Sequence, residues 1–185
     1  MQKRIMSMIA GLFFAVGALV SGQLPAIAAE PAQLTVIGKI ENSNRSRFDP
    51  FSDAFFKFRE NEFSKAFEFT YADLAALPQV TVNARAEEWP AAISATGPAL
   101  GDVMKAAGVA PDAKLSVVAL DGYAIELEAA DRQAQNWILA IAVDGKPIGI
   151  GGRGPAWLMH DTAGKTVNSD VEGRWVWSVF VIAVE

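Results

Sequence analysis

The chain has 185 residues, a hydrophobic content of 51% and a formal net charge of −5 at pH 7. That acidic balance argues against nucleic acid or an anionic membrane as a partner, because both need basic patches on the protein. The sequence has no cysteine and one histidine, His160, which excludes thiolate metal ligands, thiol nucleophiles and sites built from several histidines.

Residues 1–28 are predicted to be a secretory signal peptide. Two basic residues precede an apolar run over 5–20, and the small-residue site Ala-Ile-Ala follows at 26–28, as is typical of a cleaved leader. Cleavage after Ala28 or Ala29 would leave a mature chain with a net charge of about −7. We therefore expect a periplasmic protein whose residues 30–185 form one domain, with an uncleaved N-terminal anchor as the alternative.

The mature region reads as strands separated by a few short helices. A capped helix is predicted to start at Thr70, with Asp73 at its third position, and a second helix from Gly97-Pro98 to Gly108. Strand patterns occur at 34–40, 79–86, 115–120, 123–128, 136–150 and 175–184, and Asp144-Gly145 predicts a hairpin turn. No regular βαβ rhythm appears, so the fold class is α+β with a mixed or mostly antiparallel sheet.

Two groups of aromatic residues are predicted to lie mainly in the core. Trp175 and Trp177 are two apart on a predicted strand and should share one face, with only one of them lining a pocket. The other group follows the polar stretch 41–53 and is expected to reach the core from a loop and a short strand; it consists of Phe55, Phe56, Phe58, Phe63, Phe67 and Phe69.

The stretch GIGGRGPAW fits G-x-G-x-x-G on Gly149, Gly151 and Gly154. A dinucleotide cradle needs a helix directly after these glycines, and residues 155–160 are too few to form one before the next glycine. We therefore reject the dinucleotide interpretation. A loop that lets a ligand approach closely, followed by a guanidinium and an indole, suits a flat polar heterocycle. The alternative is a structural turn beside a core tryptophan.

Several segments in order resemble the molybdopterin-binding domain of the sulfite oxidase superfamily. They are TVIGKI, GPALGDVMKAAGV, VALDGYAIEL, DGKPIGIGGRGP and WVWSVFVIAV. The resemblance implies a sulfite-oxidase-like fold with barrel-like elements, and a pterin pocket built partly by the glycine-rich loop. Catalytic members hold molybdenum through a cysteine, but Ala84 and Arg85 stand where it would fall, and Glu87 and Glu88 are poor substitutes.

Without that cysteine, the chain is similar to short exported members of the superfamily, the PruR type. This similarity implies a non-catalytic protein that binds a reduced pterin as a ligand and has no catalytic cofactor or metal. It implies a partner in the periplasmic domain of a membrane-bound diguanylate cyclase or phosphodiesterase, which makes or degrades cyclic di-GMP. A molybdopterin-dependent oxidoreductase subunit is the alternative, and a scaffold without any ligand is a third.

Six residues are candidates for contact with the pterin, and none is expected to be catalytic or to bind metal. The polar loop offers an amide and a guanidinium for a pterin edge, unless both are simply solvated. The carboxylate of the DGY turn could accept hydrogen bonds from the 2-amino and N3 positions, or could cap its own turn. The indole of the RGPAW loop could stack on the ring. These candidates are Asn44, Arg45, Asp121, Tyr123, Arg153 and Trp157.

Overall fold

The computed structural model describes residues 30–185, so the predicted signal peptide lies outside the described residues. The elements of this region, in chain order, are β1 (Leu34–Gly38), α1 (Ala54–Phe58), β2 (Ala66–Phe69), α2 (Tyr71–Ala76), β3 (Gln79–Ala86), β4 (Ile93–Pro98), α3 (Leu100–Ala106), β5 (Leu115–Ala119), β6 (Ala124–Leu127), α4 (Ala129–Ala134), β7 (Trp137–Ala140), β8 (Ala142–Val143), β9 (Lys146–Pro147), β10 (Trp157–His160), β11 (Thr166–Val167), α5 (Ser169–Glu172) and β12 (Val179–Val184). Among these helices, none is long and apolar enough to cross a membrane.

The strands form two five-stranded sheets and one two-stranded pair. The first sheet has the order β2-β1-β12-β5-β6, the second has the order β11-β3-β4-β8-β9, and β10 pairs with β7. Strands β1 and β12 run parallel, as do β3 and β11, whereas the other pairs are antiparallel. The mixed sheets and short helices confirm the predicted α+β class.

Most of the buried apolar side chains form one core that links the two larger sheets and the β10-β7 pair. Strand β3 shows how the sequence selects its inward face, because Val82, Ala84 and Ala86 are buried while the residues between them are exposed. Strands β7 and β10 are buried throughout. Because β10 follows the glycine-rich loop directly, that loop is anchored to the core at its far end.

Local signals in the sequence are confirmed where they depend on a few neighbouring residues. Thr70 caps α2, its hydroxyl accepting from the Asp73 N–H while the Asp73 carboxylate accepts from the Thr70 N–H. Gly108 ends the α3 segment at φ +71°, as predicted, but the predicted start at Gly97-Pro98 was wrong because these residues lie on β4 and α3 begins at Leu100. The turn between β8 and β9 has Asp144 and Gly145 at φ +49° and +74°, as the hairpin prediction required.

Two phenylalanines do not lie in the core as predicted. Phe63 and Phe69 are buried, but Phe55 is 40% exposed and Phe58 is 74% exposed. The reason is that the segment forms α1 rather than an irregular loop, and a helix one and a half turns long can turn only part of its surface inward. The prediction was therefore wrong for these two side chains.

The last strand is shorter than the sequence predicted. It begins at Val179, because the chain turns before it and Ser178 adopts φ +54°. Trp175 and Trp177 consequently lie outside the strand and do not share a face: Trp175 is 2% exposed, and Trp177 is 44% exposed. The common-face prediction was wrong for that reason.

The segment after the glycine motif is a strand and not a helix, which confirms the rejection of a dinucleotide cradle. Gly154 is required for a packing reason instead. A Cβ at this position would lie 2.5 Å from the carbonyl carbon and oxygen of Ile148, closer than van der Waals contact allows. The N–H groups of Gly152 and Gly154 both donate to the carbonyl of Gly149, at 3.1 and 3.2 Å, so the loop closes on its own backbone.

Candidate ligand-binding site

Three of the six candidate residues meet at one cavity of about 370 Å³. Asp121 and Tyr123 come from the turn between β5 and β6, whereas Arg153 comes from the glycine-rich loop. Trp175 and Trp177 also line this cavity, so both tryptophans reach it and the prediction that only one would do so was wrong. The remaining lining residues are Ala119, Ser169, Glu172 and Gly173.

The DGY turn fixes the carboxylate and the phenol at the cavity rim. Asp121 Oδ1 accepts the backbone N–H of Tyr123 at 2.8 Å, so the capping role foreseen for this aspartate exists in the structure. The Tyr123 hydroxyl donates to the carbonyl of Gly173 at 2.8 Å. Gly122 between them adopts φ +95°, which a side chain would strain. In residues 30–185 the Oδ2 atom of Asp121 accepts no hydrogen bond, and it is available to a ligand.

Arg153 lies on an aromatic platform. Its guanidinium carbon is 4.3 Å from the ring centroid of Trp157 and 5.4 Å from that of Trp89, a cation–π arrangement that holds the planar group in one orientation. The backbone carbonyl of Arg153 accepts the N–H of Ser178 at 2.9 Å. Within the described part of the chain, the guanidinium makes no hydrogen bond or ion pair, so its donors are available to a ligand.

Trp157 is buried and packs against the guanidinium of Arg153, which lines the cavity. Its ring is 1% exposed and its Nε1 donates to the carbonyl of Trp175 at 3.2 Å. It lines a second hollow of about 480 Å³, which Arg153 and Trp89 also line. The other walls of this hollow are mainly apolar and include Ile93 and Ile148. The two hollows therefore share Arg153, with Trp157 beneath its guanidinium.

Two residues of the site were missed by the sequence analysis. Trp89 Nε1 donates to a carboxylate oxygen of Glu172, and the Trp89 ring lies 5.5 Å from Trp157 and 5.7 Å from Trp175. Trp89 thus joins the aromatic platform to the wall of the first cavity. These residues are 83 positions apart, and neither stands in a motif, so only the tertiary fold brings them together.

Asn44 and Arg45 do not line this cavity. Asn44 donates to the carbonyl of Glu68 at 2.9 Å and accepts the Glu68 N–H at 2.7 Å. Arg45 forms ion pairs with Asp53 and Glu68, and its guanidinium also packs on two phenylalanine rings. Both side chains hold the first polar loop against β2, and the structure separates them from the other four candidates.

His160 packs against Trp175, one of the residues that line the cavity. Its ring is 4.7 Å from that of Trp137 and 5.5 Å from that of Trp175, edge to face in both cases. Burial lowers the pKa of His160, and the nearby Arg174 lowers it further, whereas Asp161 opposes the change. Trp175 lines the cavity, and its Nε1 atom is buried without a hydrogen-bond acceptor in the described residues.

The side chains present do not fit a molybdenum atom held by a protein thiolate. Ala84 lies on β3 with its methyl group buried, and the neighbouring Arg85 is exposed. Glu87 and Glu88, which follow β3, are exposed. Over residues 30–185, no three His, Cys, Asp or Glu side chains form a group that could hold a metal ion. A thiolate ligand requires a cysteine, and the chain has none.

A larger hollow of about 770 Å³ lies between α3 and α4 and contains none of the six candidates. Its arginine, Arg132, is engaged by the protein itself and donates to the carbonyls of Pro111 and Ala113. The cavity of about 370 Å³, lined by Asp121 and Arg153, is the better candidate for a ligand site.

Comparison with known proteins supports the predicted fold. No known protein family and no curated protein matches the chain in sequence. Among solved structures, the chain is similar to the sulfane dehydrogenase SoxCD from Paracoccus pantotrophus, with a TM-score of 0.54 and 16% sequence identity. The match covers 83% of this chain and 38% of the SoxCD chain. The likeness confirms the sulfite-oxidase-like α+β fold expected from the sequence.

Proposed function

We propose that this protein is a non-catalytic, periplasmic pterin-binding protein that senses a reduced pterin. The observation that supports the proposal best is the cavity that brings Asp121, Tyr123 and Arg153 together beside tryptophan rings. A pterin has N–H donors along its 2-amino and N3 edge, an acceptor at its 4-oxo group and a flat face. A carboxylate, a guanidinium and an indole are complementary to these three features.

Titration with a reduced pterin tests this proposal directly. The probe is 6-methyl-tetrahydropterin, kept reduced under argon, and the readouts are heat of binding and tryptophan emission. Four of the five tryptophans lie in the site or its platform, so a bound ring should change the emission. Arg153→Met should weaken binding about tenfold or more through the loss of a charged donor. Arg47→Met, an exposed arginine outside the cavity, is the matched control.

Failure of wild-type protein to bind the pterin saturably would contradict the proposal. The chain would then be a scaffold that keeps the fold without the ligand. Equal affinity of Arg153→Met and wild type would show that the pterin binds outside this cavity. The larger hollow between α3 and α4 would then be the next candidate site.

The proposal includes a partner, the periplasmic domain of a membrane-bound enzyme that makes or degrades cyclic di-GMP. What supports this step is the resemblance to short exported members of the superfamily. Pterin occupancy can regulate the partner only if the partner binds one state of this protein more tightly than the other. Binding of the purified periplasmic domain should therefore change at least severalfold between pterin-loaded and pterin-free protein. Equal binding to both states would remove the regulatory role and leave the pterin site intact.

The second candidate is a molybdopterin-dependent oxidoreductase subunit. The dehydrogenase named in the structural comparison favours it, and the missing thiolate opposes it. Molybdenum analysis of protein purified from its native host separates the two proposals. Near one atom per chain would establish the oxidoreductase, whereas metal-free protein that binds a pterin would eliminate it.

A further inference from the structure

Arg59, the residue that follows α1, reaches the outer side of the DGY turn. One of its terminal nitrogens, Nη2, donates to the carbonyl of Leu120, the residue directly before Asp121. Its other terminal nitrogen, Nη1, is the atom nearest to the place that a Cβ on Gly122 would occupy. The guanidinium therefore packs directly on the turn, on a side that does not line the cavity.

The position of Arg59 is set by α1. Its backbone N–H donates to the carbonyl of Phe55 at 3.0 Å. Its guanidinium carbon is 5.6 Å from the ring centroid of Phe55 and 5.5 Å from that of Phe58. The Nε atom is buried without an acceptor in residues 30–185, so the side chain gives up one hydrogen bond while it makes the contact with Leu120. A surface arginine without a structural task would keep that donor in water.

The turn also has supports on its other side. The Leu120 N–H donates to the carbonyl of Ser178 at 2.9 Å, and the Tyr123 hydroxyl donates to Gly173. The carbonyl of Leu120 accepts from Arg59. The backbone that carries the Asp121 carboxylate is thus fixed between the segment before β12 and the end of α1.

We propose that Arg59 is a positioning residue for the ligand site, and that through it the orientation of α1 sets the affinity of the cavity. This inference rests on the proposed function for its ligand, since Asp121 and Tyr123 are the groups that Arg59 positions. Phe58, the last residue of α1, is 74% exposed, and Phe51, just before α1, is 92% exposed. Any contact that shifts this short helix is transmitted through one guanidinium to the rim of the cavity, and ligand binding affects α1 reciprocally.

The test compares Arg59→Met and Arg59→Lys with wild type, and uses Arg47→Met, an exposed arginine in the polar loop before α1, as the matched control. The first readout is amide hydrogen exchange at Leu120, Gly122 and Tyr123, which needs no ligand. The second is the Kd for 6-methyl-tetrahydropterin. We expect Arg59→Met to exchange about tenfold faster at these three amides and to bind the pterin about tenfold more weakly, because the turn loses a charge-assisted hydrogen bond. Arg59→Lys keeps a cationic donor and should lie between Arg59→Met and wild type.

A general loss of stability would raise exchange throughout the sheets, whereas a positioning role raises it at the turn alone. Unchanged exchange and unchanged Kd in Arg59→Met would overturn the inference. If wild type binds no pterin, the proposed function fails, and the exchange data still decide whether Arg59 positions the turn. If Arg59→Met does not fold, Arg59→Lys supplies both measurements.

Discussion

The two carboxylate oxygens of Asp121 have different tasks. Oδ1 closes the turn by accepting the Tyr123 N–H, while Oδ2 has no partner among the described residues of a chain in which Asp121 lines the cavity. This division explains how one residue fits both the structural and the functional interpretation of the DGY sequence. The turn needs only a neutral acceptor, whereas a ligand with N–H donors gains most from the negative charge.

Asp121→Asn separates these tasks. The amide oxygen can still close the turn, so the thermal midpoint should change little. Pterin affinity should fall by about tenfold to a hundredfold, because the charge is lost and an N–H₂ group faces ligand donors. The measurement is calorimetric titration beside a thermal scan. Asp112→Asn, at an exposed position outside the cavity, is the control and should bind like wild type. Equal affinity of Asp121→Asn and wild type would show that the carboxylate does not contact the ligand.

Sequence reasoning found the residues of the site whose chemistry is visible in a short motif. Asp121 and Tyr123 stand in a turn signal, and Arg153 stands in a glycine-rich loop. Trp89 and Glu172 carry no such signal, since their roles depend on a hydrogen bond between segments far apart in the chain. A polar loop residue gives no indication of whether it faces a ligand or its own protein. That is why Asn44, whose amide pairs with the backbone of Glu68, was indistinguishable from a ligand-binding residue.

At the scale of elements, α2 follows from its sequence because its capping box is local. The Thr70 N–H and hydroxyl both donate to Asp73, and the backbone hydrogen bond lowers the pKa of that carboxyl. Removing the cap leaves N–H groups at the helix start without a partner.

Thr70→Ala should lower the free energy of unfolding by about 1 kcal/mol, the usual effect of losing an N-cap side chain. Thr70→Ser keeps the hydroxyl and is the matched control, with an expected change well below that of alanine. Urea unfolding at pH 7 measures both. The prediction fails if the alanine and serine variants are equally stable.

Elements that depend on distant neighbours were harder to predict. The aromatic stretch before α2 contains α1, whose Phe56 packs against the distant Phe180 of β12 as well as against Phe63 later in the same stretch. The apolar residues before β12 likewise predicted a longer strand. The Ser178 N–H and hydroxyl, however, donate to the carbonyls of Arg153 and Gly154 and not to a neighbouring strand. A hydrophobic pattern does not show which acceptor a backbone N–H will use, so the pattern alone could not predict where this strand begins.

For the whole molecule, the buried His160 makes stability depend on pH. The folded pKa lies below the ordinary 6.5 because burial disfavours the charged ring. As the pH falls below about 6.5, the unfolded chain takes up a proton before the folded chain does, so the free energy of unfolding decreases. The decrease continues until the folded pKa is reached and then ends, since both states are protonated below it.

Urea unfolding at several pH values between 8 and 5 measures this dependence. His160→Gln removes the titrating ring, and its stability should vary less with pH over the same interval, whatever its absolute value. A mutant with the same pH dependence as wild type would assign the effect to other groups.

The order of strands in the first sheet has a consequence for how the protein is made. Strand β12, the last element of the described residues, lies at the sheet centre between β1 and β5. Its parallel partner β1 is the first element of the described region, so their pairing closes a loop of well over a hundred residues and carries a high entropic cost. Strand β12 must therefore be synthesised before this sheet can assemble. Until residues 179–184 have been made, β1 and β5 lack the strand that lies between them.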